Sequence, residues 1–200
     1  MIRKILGTAA AAAMLMGGAA AAQTACEAGK SRDDLTLSDA KALYDCLSQA
    51  MYEGYVKGPK RWVPKDFVKD YRGWKAASTG PAAPGFHGER YLMTWVNPTG
   101  WDAYTEFKEE GAKMPAGTVI VKESFDVSEK GAAKPGPLFI MQKVEAGKSP
   151  QTGDWYYMMV SPKGAPVAVP VMQACNTCHQ GNYADQDGLG YPVEEVRVKR

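Results

Sequence analysis

Histidine is scarce in this chain: His87 and His179 are the two in 200 residues. That scarcity excludes a histidine-rich metal centre. It also weighs against a zinc tetrahedron, because no cysteine stands near His87 in sequence to complete one. Long apolar runs are missing too. After the first twenty-two residues nothing approaches the roughly twenty-residue apolar stretch a membrane-spanning helix needs. There is no internal repeat, and no excess of one charge. Setting aside Arg3 and Lys4 of the leader, 22 of the 24 basic residues remain against 22 acidic ones. A nucleic-acid partner, which calls for a basic face, is therefore not expected.

What is present begins with a leader. Arg3 and Lys4 precede an Ala-, Met- and Leu-rich run, and Ala20-Ala21-Ala22 offers a small-residue cleavage site before Gln23. Residues 1–22 read as a secretory signal peptide, which implies export to the periplasm. An acylated lipoprotein beginning at Cys26 is the weaker alternative, since Gln23-Thr24-Ala25 lacks a large aliphatic residue. All four cysteines follow the leader, in an oxidising setting. With two of them committed to the motif described below, Cys26 and Cys46 form the economical disulfide, tying the mature N-terminus to the first helix.

Leu35 to Gly58 reads as a helix, with Ser38 as N-cap and Leu43, Leu47 and Met51 repeating at i, i+4. A short helix begun by Pro64 is expected next, and then a Gly/Pro/Ala-rich loop over 76–88. Arg90–Val96, Thr118–Phe125, Leu138–Val144 and Asp154–Val160 have strand composition. Between the first two, Thr99 is read as the cap of a short helix carrying Trp101, Tyr104 and Phe107. Strands joined by turns, without a helix between each pair, argue for antiparallel pairing. The fold expected is α+β: an antiparallel β-sheet with peripheral helices and a C-terminal helix carrying the motif below. The division expected is 1–22 leader, 23–88 N-terminal helical segment and 89–200 main domain, the last two forming one compact unit.

The chemistry concentrates in Cys175-Asn176-Thr177-Cys178-His179. Two thiols three positions apart share one face across a helical turn. Three readings compete. Zinc lacks further ligands, and a thioredoxin-like redox pair has no need of the histidine. Covalent c-type haem uses all three residues: Cys175 and Cys178 as thioethers, His179 as axial ligand of the iron. Twenty-one residues follow His179 and none is Met or His. A sixth ligand would have to come from Met172, Met158, Met159, Met141, Met114, Met93, Lys122 or His87. Strand methionines are more often core filler, so the expectation is an open or water-filled sixth position, suited to binding a small molecule.

Trp95-Val96-Asn97-Pro98, Pro115-Ala116-Gly117-Thr118-Val119-Ile120-Val121-Lys122-Glu123 and Gly153-Asp154-Trp155-Tyr156, followed by the Cys-Asn-Thr-Cys-His segment, Asn182, Asp185 and Tyr191-Pro192-Val193, resemble the cytochromes P-460 and the related cytochromes c-prime-beta. The resemblance covers about the last hundred and ten residues. It implies a largely antiparallel β fold, often dimeric, with one covalent haem c that is five-coordinate or water-bound. In P-460 cytochromes a lysine at the position matching Lys122 is bonded to the porphyrin edge. Those proteins oxidise hydroxylamine and pass the electrons to an acceptor. The c-prime-beta relatives instead bind nitric oxide or carbon monoxide in an aromatic-lined distal pocket. On that resemblance the chain is expected to be an exported mono-haem cytochrome oxidising hydroxylamine-like compounds. The alternatives are a non-enzymatic gas-binding protein and a simple electron-transfer cytochrome. Taken alone, Lys122 would read as a solvated lysine on a half-polar strand face. Tyr91, Trp95, Trp101, Tyr104 and Phe107 are candidates for a distal wall.

Overall fold

A computed structural model describes residues 26–63, 68–83, 85–168 and 173–199. The leader, Pro64 and Met172 lie outside them. The first helix, α1 (Leu37–Lys57), starts two residues earlier than Ser38 as N-cap would put it. Its N-cap is Thr36, closed by a capping box with Asp39. Asp39 Oδ2 accepts the Thr36 N–H at 2.8 Å and also meets Lys30 Nζ at 2.8 Å. An acid at the third helical position answers the orphan N–H of the cap, which the residue following Ser38 at that spacing, Lys41, does not. Ala40, Leu43, Tyr44, Leu47, Met51 and Tyr55 form the buried stripe.

Seven strands make one antiparallel sheet among the described residues: β1 (Lys75–Ala76), β2 (Tyr91–Val96), β3 (Val119–Val127), β4 (Ala133–Pro135), β5 (Leu138–Lys143), β6 (Trp155–Val160) and β7 (Pro166–Ala168). The order is β1-β2-β3-β5-β6-β7, with β4 continuing along β3 past the end of β5. The expected α+β class is what the structure shows. The four longer strands lie where the apolar patterning puts them. A short helix, α2 (Pro98–Tyr104), follows β2. Its cap is Asn97, whose side chain accepts the Gly100 N–H, and not Thr99. Pro98 at the first helical position fits, because its missing N–H would have no partner there.

The register sorts residues onto two faces. Thr94, Lys122 and Phe139 are direct neighbours across three strands, and Val96, Ile120 and Met141 form the next row of the same face. The opposite face carries Tyr91, Trp95, Val121, Phe125, Leu138 and Ile140, packed under the apolar stripe of α1. Gly54 lets α1 close on the β6–β7 turn: a Cβ there would stand 2.1 Å from the Pro162 carbonyl oxygen. A disulfide joins Cys26 to Cys46, with Cα atoms 6.0 Å apart. The Ala133 N–H donates to the Cys26 carbonyl at 2.8 Å, so the start of the described chain is tied to both α1 and β4.

Set in the middle of the α1 face is a carboxylate. Glu123 is fully buried and takes both Arg72 Nε and Nη2 at 2.8 Å, the Tyr44 hydroxyl at 2.8 Å, and the Tyr71 hydroxyl. A buried charge is tolerated when paired and hydrogen-bonded on this scale. The network was legible in principle: Glu123 sits between Val121 and Phe125 on the apolar side of a strand, where an acid demands a partner.

Candidate functional site

The last helix, α3 (Gln173–Tyr183), lies across the other face of the sheet and carries the Cys-Asn-Thr-Cys-His segment. Between helix and sheet is a cavity of about 310 Å³. Cys175, Cys178 and His179 line it from the helix, and Thr94, Ile120, Lys122, Phe139, Met141 and Tyr157 line it from the sheet. Phe86 and His87 come from the β1–β2 loop, and Tyr191, Pro192 and Val193 from the C-terminal segment. Both thiols are free.

His179 is buried and its ring orientation is set. Nδ1 lies 2.6 Å from the Gly188 carbonyl oxygen. A backbone acceptor on Nδ1 selects the tautomer that leaves Nε2 with a lone pair, the arrangement found in metal-ligating histidines. The acceptor is itself held in place. Gly188 adopts a left-handed backbone at φ +75°, and Asp187 before it ties three places together. Its carboxylate takes Lys143 Nζ at 2.6 Å and the Met114 N–H at 2.8 Å, while its carbonyl accepts Trp155 Nε1 at 2.7 Å. Desolvation pulls the His179 pKa down to about 4, so the imidazole is neutral at ordinary pH. The helix is further pinned by Gln180 donating to the Thr152 carbonyl at 3.2 Å and Asn176 to the Gln151 carbonyl at 3.0 Å.

Lys122 is buried, on the cavity face of β3, not solvated as a half-polar strand face would suggest. Nζ donates to the Gly190 carbonyl at 2.6 Å, and desolvation lowers its pKa to about 8. Its strand neighbour Glu123 points through the sheet to the α1 side.

Of the possible sixth ligands, His87, Lys122 and Met141 line the cavity from its own side of the sheet, whereas Met158, which reaches the cavity's edge, and Met93 pack with the α1 core. The five aromatic residues named for a distal wall do not line it. Tyr91 and Trp95 face α1, and Tyr104 and Phe107 back Tyr191 from outside, with ring centres 5.2 and 5.4 Å away. The aromatic wall is Phe86, Phe139, Tyr157, Tyr183 and Tyr191. Which rows of side chains a sheet offers to a cavity depends on which face each strand residue takes, and Tyr91 and Trp95 are one residue out of phase with Thr94.

The donor set fits a haem. Two thiols a helical turn apart, a neutral imidazole with its second nitrogen fixed, and largely apolar walls are what a thioether-anchored macrocycle needs. Two buried polar atoms at the cavity, His87 Nδ1 and Tyr191 Oη, have no hydrogen-bond partner among the described residues, as expected of groups that meet a bound molecule. Among the described residues no three His, Cys, Asp or Glu side chains gather to hold a bare metal ion.

Residues 68–189 match the cytochrome P460 family. The match spans more than half of the chain and takes in the sheet, Lys122 and the whole Cys-Asn-Thr-Cys-His segment. The chain belongs to the cytochrome P460 family and is a haem cytochrome of that kind. The matched region begins at residue 68, inside the segment read from sequence as the N-terminal helical part, and leaves α1 outside. No curated protein matches the chain significantly. No helix among the described residues is long and apolar enough to cross a membrane.

Proposed function

We propose that this protein is an exported mono-haem cytochrome that oxidises hydroxylamine-like nitrogen compounds and passes the electrons to a periplasmic acceptor. Cys175 and Cys178 would hold the haem as thioethers, and His179 would offer its Nε2 to the iron. The observation that carries the reading is the position of Lys122, buried in the cavity that also holds the Cys-Asn-Thr-Cys-His segment. The Cys26–Cys46 disulfide supports an oxidising compartment, as the leader does.

Haem, when bound, supplies a redox-active iron that can take a small nitrogen ligand. The chain's part begins with Lys122. A pKa of about 8 leaves a usable neutral fraction of its amine near neutral pH, so Nζ would be available as a nucleophile toward the edge of a bound haem, a bond whose formation would need an external two-electron oxidant, with one hydrogen lost from the amine and one from the macrocycle. The Gly190 carbonyl keeps Nζ oriented while the amine waits. His179 presents Nε2 because Gly188 occupies Nδ1. Phe139, Ile120 and Met141 exclude water and keep the cavity of low polarity.

One observation favours the non-enzymatic alternative, a protein that binds nitric oxide or carbon monoxide. No Asp or Glu lines the cavity among the described residues, so the side chains that most readily move protons from a nitrogen substrate are missing from its wall. Intact-mass and peptide mapping of mature holoprotein separates the two. The enzymatic reading expects the Lys122 peptide bonded to haem, a reduced main absorption band at unusually long wavelength, and hydroxylamine turnover that Lys122→Ala abolishes. Haem held only through Cys175 and Cys178, with no turnover and firm gas binding, would leave the binding protein instead.

A further inference from the structure

The carbonyl that meets His179 Nδ1 belongs to a turn wrapped around the end of α3. The Asp187 N–H donates to the Ala184 carbonyl at 3.1 Å, the Gly188 N–H to the Tyr183 carbonyl at 2.7 Å, and the Leu189 N–H to the Gln186 carbonyl at 3.1 Å. Asp187 and Gly188 are both left-handed, at φ +58° and +75°. Glycine adopts that state freely, whereas an L side chain keeps it only where its surroundings hold it. Asp187 has three such holds, each from a different strand or its approach. Lys143, at the end of β5, meets Oδ1 at 2.6 Å. The Met114 N–H, ahead of β3, donates to Oδ2 at 2.8 Å, and Trp155 Nε1, at the start of β6, donates to the Asp187 carbonyl at 2.7 Å.

The ion pair in this arrangement is sheltered, its two side chains being 14% and 17% exposed. Lys143 Nζ also donates to the Gly153 carbonyl at 2.8 Å and lies 5.1 Å from the centre of the buried Trp155 ring. A charge pair with this many partners holds one geometry, which an isolated surface pair does not. The Gly188 carbonyl is thus close to His179 in sequence, but what aims it comes from the sheet. That aim has a chemical consequence. A hydrogen bond from Nδ1–H to a fixed acceptor raises the basicity of the imidazole, so Nε2 becomes the stronger ligand. A stronger donor favours ferric over ferrous iron, and hydrogen bonding behind an axial ligand is a lever on reduction potential.

We propose that Asp187 is a positioning residue for the axial histidine: through the Gly188 carbonyl, and with Lys143 as its counter-ion, it sets how strongly His179 donates to the haem iron. This rests on the assignment of haem to Cys175, Cys178 and His179, and it is independent of whether Lys122 bonds the macrocycle. Asp187 does not line the cavity. It acts by holding a backbone carbonyl.

The experiment uses mature holoprotein and compares wild type with Asp187→Asn, Asp187→Ala and Lys143→Met. A pyridine haemochrome assay first establishes one haem c per wild-type chain; its absence would remove the haem assignment itself, a failure distinguishable from that of Asp187. The reduction potential is then read by spectroelectrochemistry, and the iron–histidine stretching band of the ferrous protein by resonance Raman. All three variants should raise the potential and move the band to lower frequency, most in Asp187→Ala. Lys143→Met separates positioning from plain charge. Losing a carboxylate and losing an ammonium change the local charge by opposite signs, so a Coulomb effect alone would move the potential in opposite directions. Shifts in the same direction in Asp187→Asn and Lys143→Met support the proposal. Opposite shifts, or a potential unchanged in both, overturn it. Should Asp187→Ala fail to fold, Asp187→Asn keeps the side chain's shape and an acceptor oxygen, and with Lys143→Met it decides the outcome.

Discussion

Lys122 and Glu123 are consecutive residues of one strand, both charged by nature and both buried, and they have opposite surroundings. Glu123, on the α1 side, has two arginine N–H groups and two tyrosine hydroxyls within reach, so every lone pair it offers is used. Lys122, on the cavity side, has one backbone carbonyl and a depressed pKa. The fully paired charge belongs to the architecture: it welds the 71–72 turn and α1 to the sheet. The under-paired one is kept reactive, because a single neutral acceptor does not stabilise the ammonium form as a carboxylate would. One face of this sheet carries the fully paired charge and the other lines the cavity, and the period of two between strand residues separates them completely.

The largest effect on this contrast should come from Glu123→Ala. It strands the Arg72 guanidinium and two hydroxyls in the core, and a loss of about 3–5 kcal/mol in unfolding free energy is expected by urea titration. A loss below about 1 kcal/mol would mean that water reaches the network. Next, Cys46→Ser opens the crosslink across 20 residues and should cost about 3 kcal/mol, again on the α1 side, with the haem spectrum of the folded protein unchanged.

On the cavity side the effects are chemical. In holoprotein matured without the Lys122 bond, raising the pH through about 8 deprotonates the amine, so oxidant-driven bond formation should accelerate with pH. Between about pH 7 and pH 9 the neutral fraction, and with it the rate read by mass spectrometry, rises up to about tenfold. A rate that falls with pH would remove the nucleophile role. Smallest in free energy is Lys122→Met. Releasing the Gly190 carbonyl and removing a desolvated amine nearly cancel, within about 1 kcal/mol, although no haem–side-chain bond can then form. If Lys122→Met proved as destabilising as Glu123→Ala, the two faces would not differ as argued.

Much of the architecture is legible in the sequence alone. The i, i+4 apolar repeat marked α1, and the four longer strands followed apolar patterning with turn residues between them. The two- and three-residue strands β1, β4 and β7 were not legible, since nothing but pairing with a neighbour defines them. Both helix caps lay two residues upstream of where they were read. In each case the decisive signal, an acid three residues on from Thr36 and a proline after Asn97, was in the sequence. The place of Glu123 on the apolar side of its strand demands partners, but these come from α1 and the 71–72 turn, which no local pattern names. His87 is one of eight possible iron ligands in the sequence, and no local pattern shows that its ring lies 6.1 Å from that of His179.

The Cys175–His179 spacing determined by itself what kind of group this chain holds, because a five-residue segment on a helix presents its side chains in a known arrangement wherever the helix lies. Cys26 and Cys46 likewise stood out as a pair by elimination. The tertiary structure alone decided what surrounds that anchor. It brought a strained, glycine-flanked loop ninety-two positions upstream of His179 over Phe139, turned Lys122 into the cavity and Glu123 away from it, and set the Gly188 carbonyl on His179. Local spacing carries local geometry. The distance between His87 and His179 is the outcome of closing a whole sheet between them, and no pattern of neighbouring residues encodes it.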